Sequence, residues 1–105
     1  MNAEVLKEHL KANCMGRKNT VSGASLERTL HLSGNELRRY VNRLRRQGVP
    51  IASSRDGYFF AVNAGEVYAT IRQLKQMASG LDAAIGGLER ALEDFGSAAA
   101  GGEAS

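Results

Sequence analysis

Between Asn35 and Arg46 the chain carries five arginines (Arg38, Arg39, Arg43, Arg45, Arg46) and two asparagines, Asn35 and Asn42. These residue types hold and read polyanions without making or breaking bonds. Arginine bonds bidentately to the guanine edge, asparagine likewise to adenine, and spare guanidinium groups hold phosphates. Their spacing places them on a helix. Ser33 followed three residues later by Glu36 forms a capping-box signature, and Leu37, Tyr40, Val41 and Leu44 then recur at helical intervals as a stripe to be buried. At about 100° per residue, Asn35, Arg39, Asn42 and Arg46 lie opposite that stripe, with Arg38 and Arg43 on its shoulders. Gly48 is expected to stop the helix. For a lone helix, an arginine-rich face is more simply read as solvated surface. The neighbouring elements favour nucleic-acid contact.

Upstream, residues 3–14 read as a first helix with Val5, Leu6, His9, Leu10 and Met15 along one side. Gly16 to Asn19 is a basic turn. Thr20-Val21 has the makings of a very short strand before Ser22 caps a second helix, in which Leu26, Leu30 and Leu32 face inward. Lys18 is a candidate phosphate contact. Downstream, Asp56-Gly57 stands between two strand-like runs and signals a hairpin with a type I′ turn, which needs positive φ at both positions. That turn would pair Arg55 with Tyr58, Ser53 with Phe60 and Ile51 with Val62 on one face, and Ser54 with Phe59 and Ala52 with Ala61 on the other. The first set is the more apolar and is expected to close the core, leaving Arg55 at the tip to reach DNA. Helix, helix, turn, helix, hairpin is the order of a winged helix-turn-helix, an α+β but mainly α fold.

Val21-Ser22-Gly23, Leu26, Leu30, Ser33, Val41, Leu44-Arg45, Gly48, Pro50-Ile51 and Gly57-Tyr58 resemble the N-terminal DNA-binding domain of the biotin repressor family. The resemblance spans about residues 1–62, without gaps after Val21. It implies a winged helix that reads DNA with its third helix. Residues 63–105 do not continue as the ligase domain of the bifunctional members, so biotin chemistry is not carried over. Small prophage-borne regulators look similar.

Asn63 is expected to cap a long last helix, roughly Ala64 to Asp94. Along it Val67, Ile71, Leu74, Ala78, Leu81, Ile85, Leu88, Leu92 and Phe95 follow steps of four and three, a heptad seam about 43 Å long. Ile71 and Ile85 take a positions and Leu74, Leu81 and Leu88 take d, a choice that favours two strands when helices are parallel. The g positions Thr70, Met77, Ala84 and Ala91 are uncharged and leave orientation open. Gly80, Gly86 and Gly87 each cost about 1 kcal/mol in a helix interior, so Ser79-Gly80 is a candidate break. Three segments follow: a winged helix-turn-helix domain at 1–62, a dimerisation helix at 63–95 and a disordered tail at 96–105.

The balance of charge agrees with a polyanionic partner. Residues 1–62 hold eleven Lys and Arg against five Asp and Glu, a net +6; residues 63–105 hold three against six, a net −3. The single Cys14 excludes an internal disulfide and suits a reducing cytoplasm. Two histidines, His9 and His31, and one cysteine support no metal site. No nucleophile–base set, carboxylate pair or phosphate-binding loop argues for an enzyme or a cofactor. No apolar run approaches the ~20 residues of a membrane span, and Glu4, Lys7 and Glu8 interrupt any signal-like start. The expectation is a cytoplasmic, homodimeric regulator of transcription. It reads the major groove of double-stranded DNA through helix 34–47 and touches backbone or minor groove with the wing at 51–62. A winged helix that instead serves as a protein-interaction module is the alternative, and the residues leave a small-molecule effector open.

Overall fold

The computed structural model describes residues 2–96. The order is α1 (Ala3–Asn13), a 3-10 turn (Arg17–Asn19), α2 (Gly23–Leu30), α3 (Gly34–Arg46), an antiparallel hairpin of β1 (Ile51–Ser54) and β2 (Gly57–Phe60), and α4 (Ala64–Glu93). The fold is α+β and mainly helical. Two compact units divide it, one running to Ile71 and one beginning at Arg72. The tail expected at 96–105 lies, from residue 97 on, outside the described residues.

Each helix begins on a side chain that satisfies an otherwise orphaned N–H. Asn2 Oδ1 accepts from Val5 N–H at 3.2 Å, Ser22 Oγ from Ser25 N–H at 3.1 Å, and Asn63 Oδ1 from Glu66 N–H at 2.9 Å. The Glu66 carboxylate does more. It accepts from Val62 N–H at 2.8 Å and from Arg17 N–H at 3.0 Å, tying the start of α4 back to the 3-10 turn. The end of α2 is closed by His31 in the left-handed region, φ 57°.

One core joins α1, α2, α3 and the hairpin. It holds Ala3, Leu6, Leu10, Cys14, Leu26, Leu32, Leu37, Val41, Leu44 and Ile51, with Tyr58 and Phe60 packed against it. The face of α1 is rotated from the expected one: Ala3, Leu6, Leu10 and Cys14 are buried, whereas Val5 and Met15 are exposed. The spacing 3, 6, 10, 14 keeps small residues at both ends of the stripe, which a search for large apolar side chains overlooks. Burial pushes the Cys14 thiol upward in pKa.

The hairpin register differs from the expected one by two residues. Ile51 pairs with Phe60, Ala52 with Phe59, Ser53 with Tyr58 and Ser54 with Gly57, so the turn residues are Arg55 and Asp56. Asp56 does not take a positive φ; Gly57 does, at 143°. The glycine is required by an approach that the turn signal did not reveal. A Cβ on Gly57 would stand 2.0 Å from the Val21 carbonyl oxygen. Val21 pairs there as a one-residue third strand, exchanging hydrogen bonds of 2.8 and 2.9 Å with Tyr58. A shift of two residues preserves the alternation of faces, so Ile51, Tyr58 and Phe60 still face the main core. The other face is buried as well: Ala52, Phe59 and Ala61 form a second cluster under Val67.

Candidate nucleic-acid interface

The helix α3 is held at both ends and along one side. At its start Ser33 Oγ accepts from Glu36 N–H at 3.1 Å while the Glu36 carboxylate accepts from Ser33 N–H at 2.9 Å. These bonds to Ser33 hold the Glu36 carboxyl below its ordinary pKa. At its end Gly48 takes φ +88°, and its N–H donates to Arg45 O while Val49 N–H donates to Leu44 O. That is a Schellman closure, in which a left-handed residue lets two orphaned carbonyls find partners. Leu37, Val41 and Leu44 are buried on the inner side.

With that side fixed, Asn35, Arg38, Arg39, Asn42, Arg43 and Arg46 are all exposed on α3. Arg38 donates through Nη2 to Asn35 Oδ1, so these two side chains hold each other at the helix start. Arg55 is exposed in the hairpin turn, and Lys18 is exposed on the 3-10 turn. The 3-10 turn lies beside β2 and the hairpin beside α3, so all eight residues belong to the same compact unit.

Arg45 is the exception among the α3 arginines. Its Nε donates to the Ile51 carbonyl at 2.9 Å and its Nη2 to Ser53 Oγ at 3.1 Å. Burial lowers its pKa from the usual arginine range. Four residues beyond Val41, it sits on the edge of the apolar stripe, and that position was the available sign that it differs from Arg46. From β1 the connection continues to α4. Ser53 N–H donates to Thr70 Oγ1 at 3.0 Å, and Thr70 is buried. In this register the outer-edge groups of β1 sit at Ile51 and Ser53, so Arg45 and Thr70 together satisfy an edge that would otherwise be bare.

The expected seam on α4 splits at this contact. Val67 packs against the hairpin of its own chain. From Ile71 on, Leu74, Ala78, Leu81, Ile85, Leu88 and Leu92 are all exposed, with Leu81 at 66% and Leu88 at 70%. The helix runs unbroken through Ser79-Gly80. No helix among the described residues is long and apolar enough to cross a membrane, and none of their His, Cys, Asp and Glu groups could hold a metal ion. No protein-family model, curated protein or solved structure matches the chain.

Proposed function

We propose that the chain is a sequence-specific double-stranded-DNA-binding protein of the winged helix-turn-helix type, acting in transcriptional regulation as a homodimer through α4. One observation carries this reading: six hydrogen-bonding side chains, four of them arginines, are exposed on α3 opposite a buried apolar stripe. In the major groove Arg39 and Asn42, central on that face, read base edges, while Arg38, Arg43 and Arg46 hold phosphates on either side. Arg55 at the hairpin turn and Lys18 add backbone or minor-groove contacts. Dimerisation is supported by the apolar run of α4 beyond Ile71, whose side chains are exposed.

The test is duplex-DNA affinity against salt, with sequence preference read in parallel. If each protomer neutralises about four to five phosphates, affinity falls on the order of 10³–10⁵ between 50 and 200 mM salt. Arg39→Ala and Asn42→Ala each cost about 1–3 kcal/mol and relax the preferred sequence, whereas Arg55→Ala weakens all sequences alike. A flat salt response sinks the reading and turns α3 into a surface for a protein partner.

A further inference from the structure

Uncharged g positions say nothing of how two α4 helices would align, but the e positions do. With Ile71 and Ile85 at a, the e residues are Tyr68, Lys75, Asp82 and Glu89. Tyr68, Lys75, Asp82 and Glu89 are all exposed. In a parallel pair each e residue meets a g residue of the other helix. Lys75 would then meet Thr70, Asp82 would meet Met77, and Glu89 would meet Ala84, so no charge is matched. In an antiparallel pair e residues meet e residues and g residues meet g.

We infer that α4 pairs antiparallel with a second copy of this chain, in the register that sets Lys75 of each copy against Asp82 of the other. This rests on the dimer reading above. In this register Ile71 packs on Leu88 of the second copy, Leu74 on Ile85, and Ala78 on Leu81, three layers drawn from residues left exposed in the single chain, while Leu92 comes opposite the half-buried Val67. Charge and size agree on the flanks. The two-fold axis makes the Lys75–Asp82 pair twice, and the long Met77 side chain faces the small Ala84. Sliding the helices by one heptad, to Leu74 on Leu92, keeps two attractive pairs, Lys75 with Glu89, but sets Asp82 against Asp82 on the axis, a like-charge contact that the inferred register avoids. The axis then passes between Ala78 and Leu81, at Ser79-Gly80. A Cβ at Gly80 meets nothing within 4 Å in the chain, and its heptad position faces away from the seam.

Three measurements on the full chain test this. Sedimentation equilibrium on the parent chain comes first; a monomer at tens of micromolar overturns the dimer reading and this inference together. With a dimer in hand, Leu74→Cys and Ile85→Cys are prepared in a Cys14→Ala background and treated with a short bismaleimide, singly and mixed. The antiparallel register links the mixture and leaves Leu74→Cys alone unlinked, because its two copies stand about 16 Å apart along the axis. Linkage of Leu74→Cys to itself means a parallel pair, and linkage to Leu92→Cys instead of Ile85→Cys means the one-heptad slip; either overturns the inference while leaving the dimer. Charge exchange then supplies a readout free of new cysteines. Lys75→Glu and Asp82→Lys should each weaken dimerisation about 3–30-fold, and the double variant should recover most of that loss. Additive weakening overturns the pairing.

Discussion

The chain up to Ile71 and the helix beyond it treat apolar residues in opposite ways. In the first unit Leu6, Leu10 and Leu26 are fully buried, every helix start carries a side-chain cap, and both edges of the hairpin are covered, one by Val21 and the other by Arg45 and Thr70. Beyond Thr70 no residue of α4 is buried, although Leu81, Ile85, Leu88 and Leu92 are as apolar as anything in the core. Intrinsic propensity does not explain that second stretch. Three glycines in a helix interior oppose it by roughly 1 kcal/mol each. A small unit can satisfy its own backbone and core, whereas one face of a single helix cannot bury its own heptad seam. On the dimer reading proposed above, the first unit folds on its own contacts and the apolar residues beyond it serve association.

The largest expected effect separates the two regions outright. Leu81→Asp with Leu88→Asp removes side chains whose burial stabilises a pair by about 1.5–3 kcal/mol each, and should leave a monomer in sedimentation equilibrium. Amide protection at Leu6, Leu10 and Leu26 should stay unchanged, since none of them touches the seam. Loss of that protection would mean that the first unit depends on association for its fold.

Within the first unit, Arg45→Ala should lower stability to urea by about 1.5–3 kcal/mol, because the Ile51 carbonyl and Ser53 lose a charged donor. Arg46→Ala, on the exposed face, should stay within about 0.5 kcal/mol. Equal costs would erase the distinction between an arginine that builds the fold and one available to a ligand. Thr70→Val keeps the shape but strips the hydroxyl from Ser53 N–H, at about 1–2 kcal/mol. A neutral result would place the boundary between the units before Thr70, at the end of the hairpin. The smallest effect has the opposite sign: Gly80→Ala should stabilise α4 by up to about 1 kcal/mol, read as a rise in helical melting temperature, since the added methyl meets open space. Destabilisation there would mean that a second helix approaches at Gly80 and that the seam is rotated.

Much of the first unit was legible in the residues. The capping box at Ser33 and Glu36, the stripe of Leu37, Val41 and Leu44, the stop at Gly48 and the cap at Asn63 are local, and each depends on bonds reaching only a few residues along the chain. The exposed set on α3 followed from that stripe by helical geometry alone. The hairpin misled because Asp56-Gly57 is a strong local turn signal, while the reason for Gly57 lies thirty-six residues upstream at Val21, in a backbone approach that no spacing rule contains.

Sequence alone therefore determined the elements, their caps and the polar face of α3, all of which are properties of one helix or one turn. Tertiary structure decided the hairpin register, the rotation of α1, the partners of Arg45 on β1 and the assignment of Val67 and Thr70 to the first unit. Each of these is settled by which distant backbone group or side chain arrives to satisfy a hydrogen bond or fill a gap. The periodicity of α4 was plain in the sequence as well; that Val67 and Thr70 join the first unit while the seam residues beyond them stay exposed is decided by the fold.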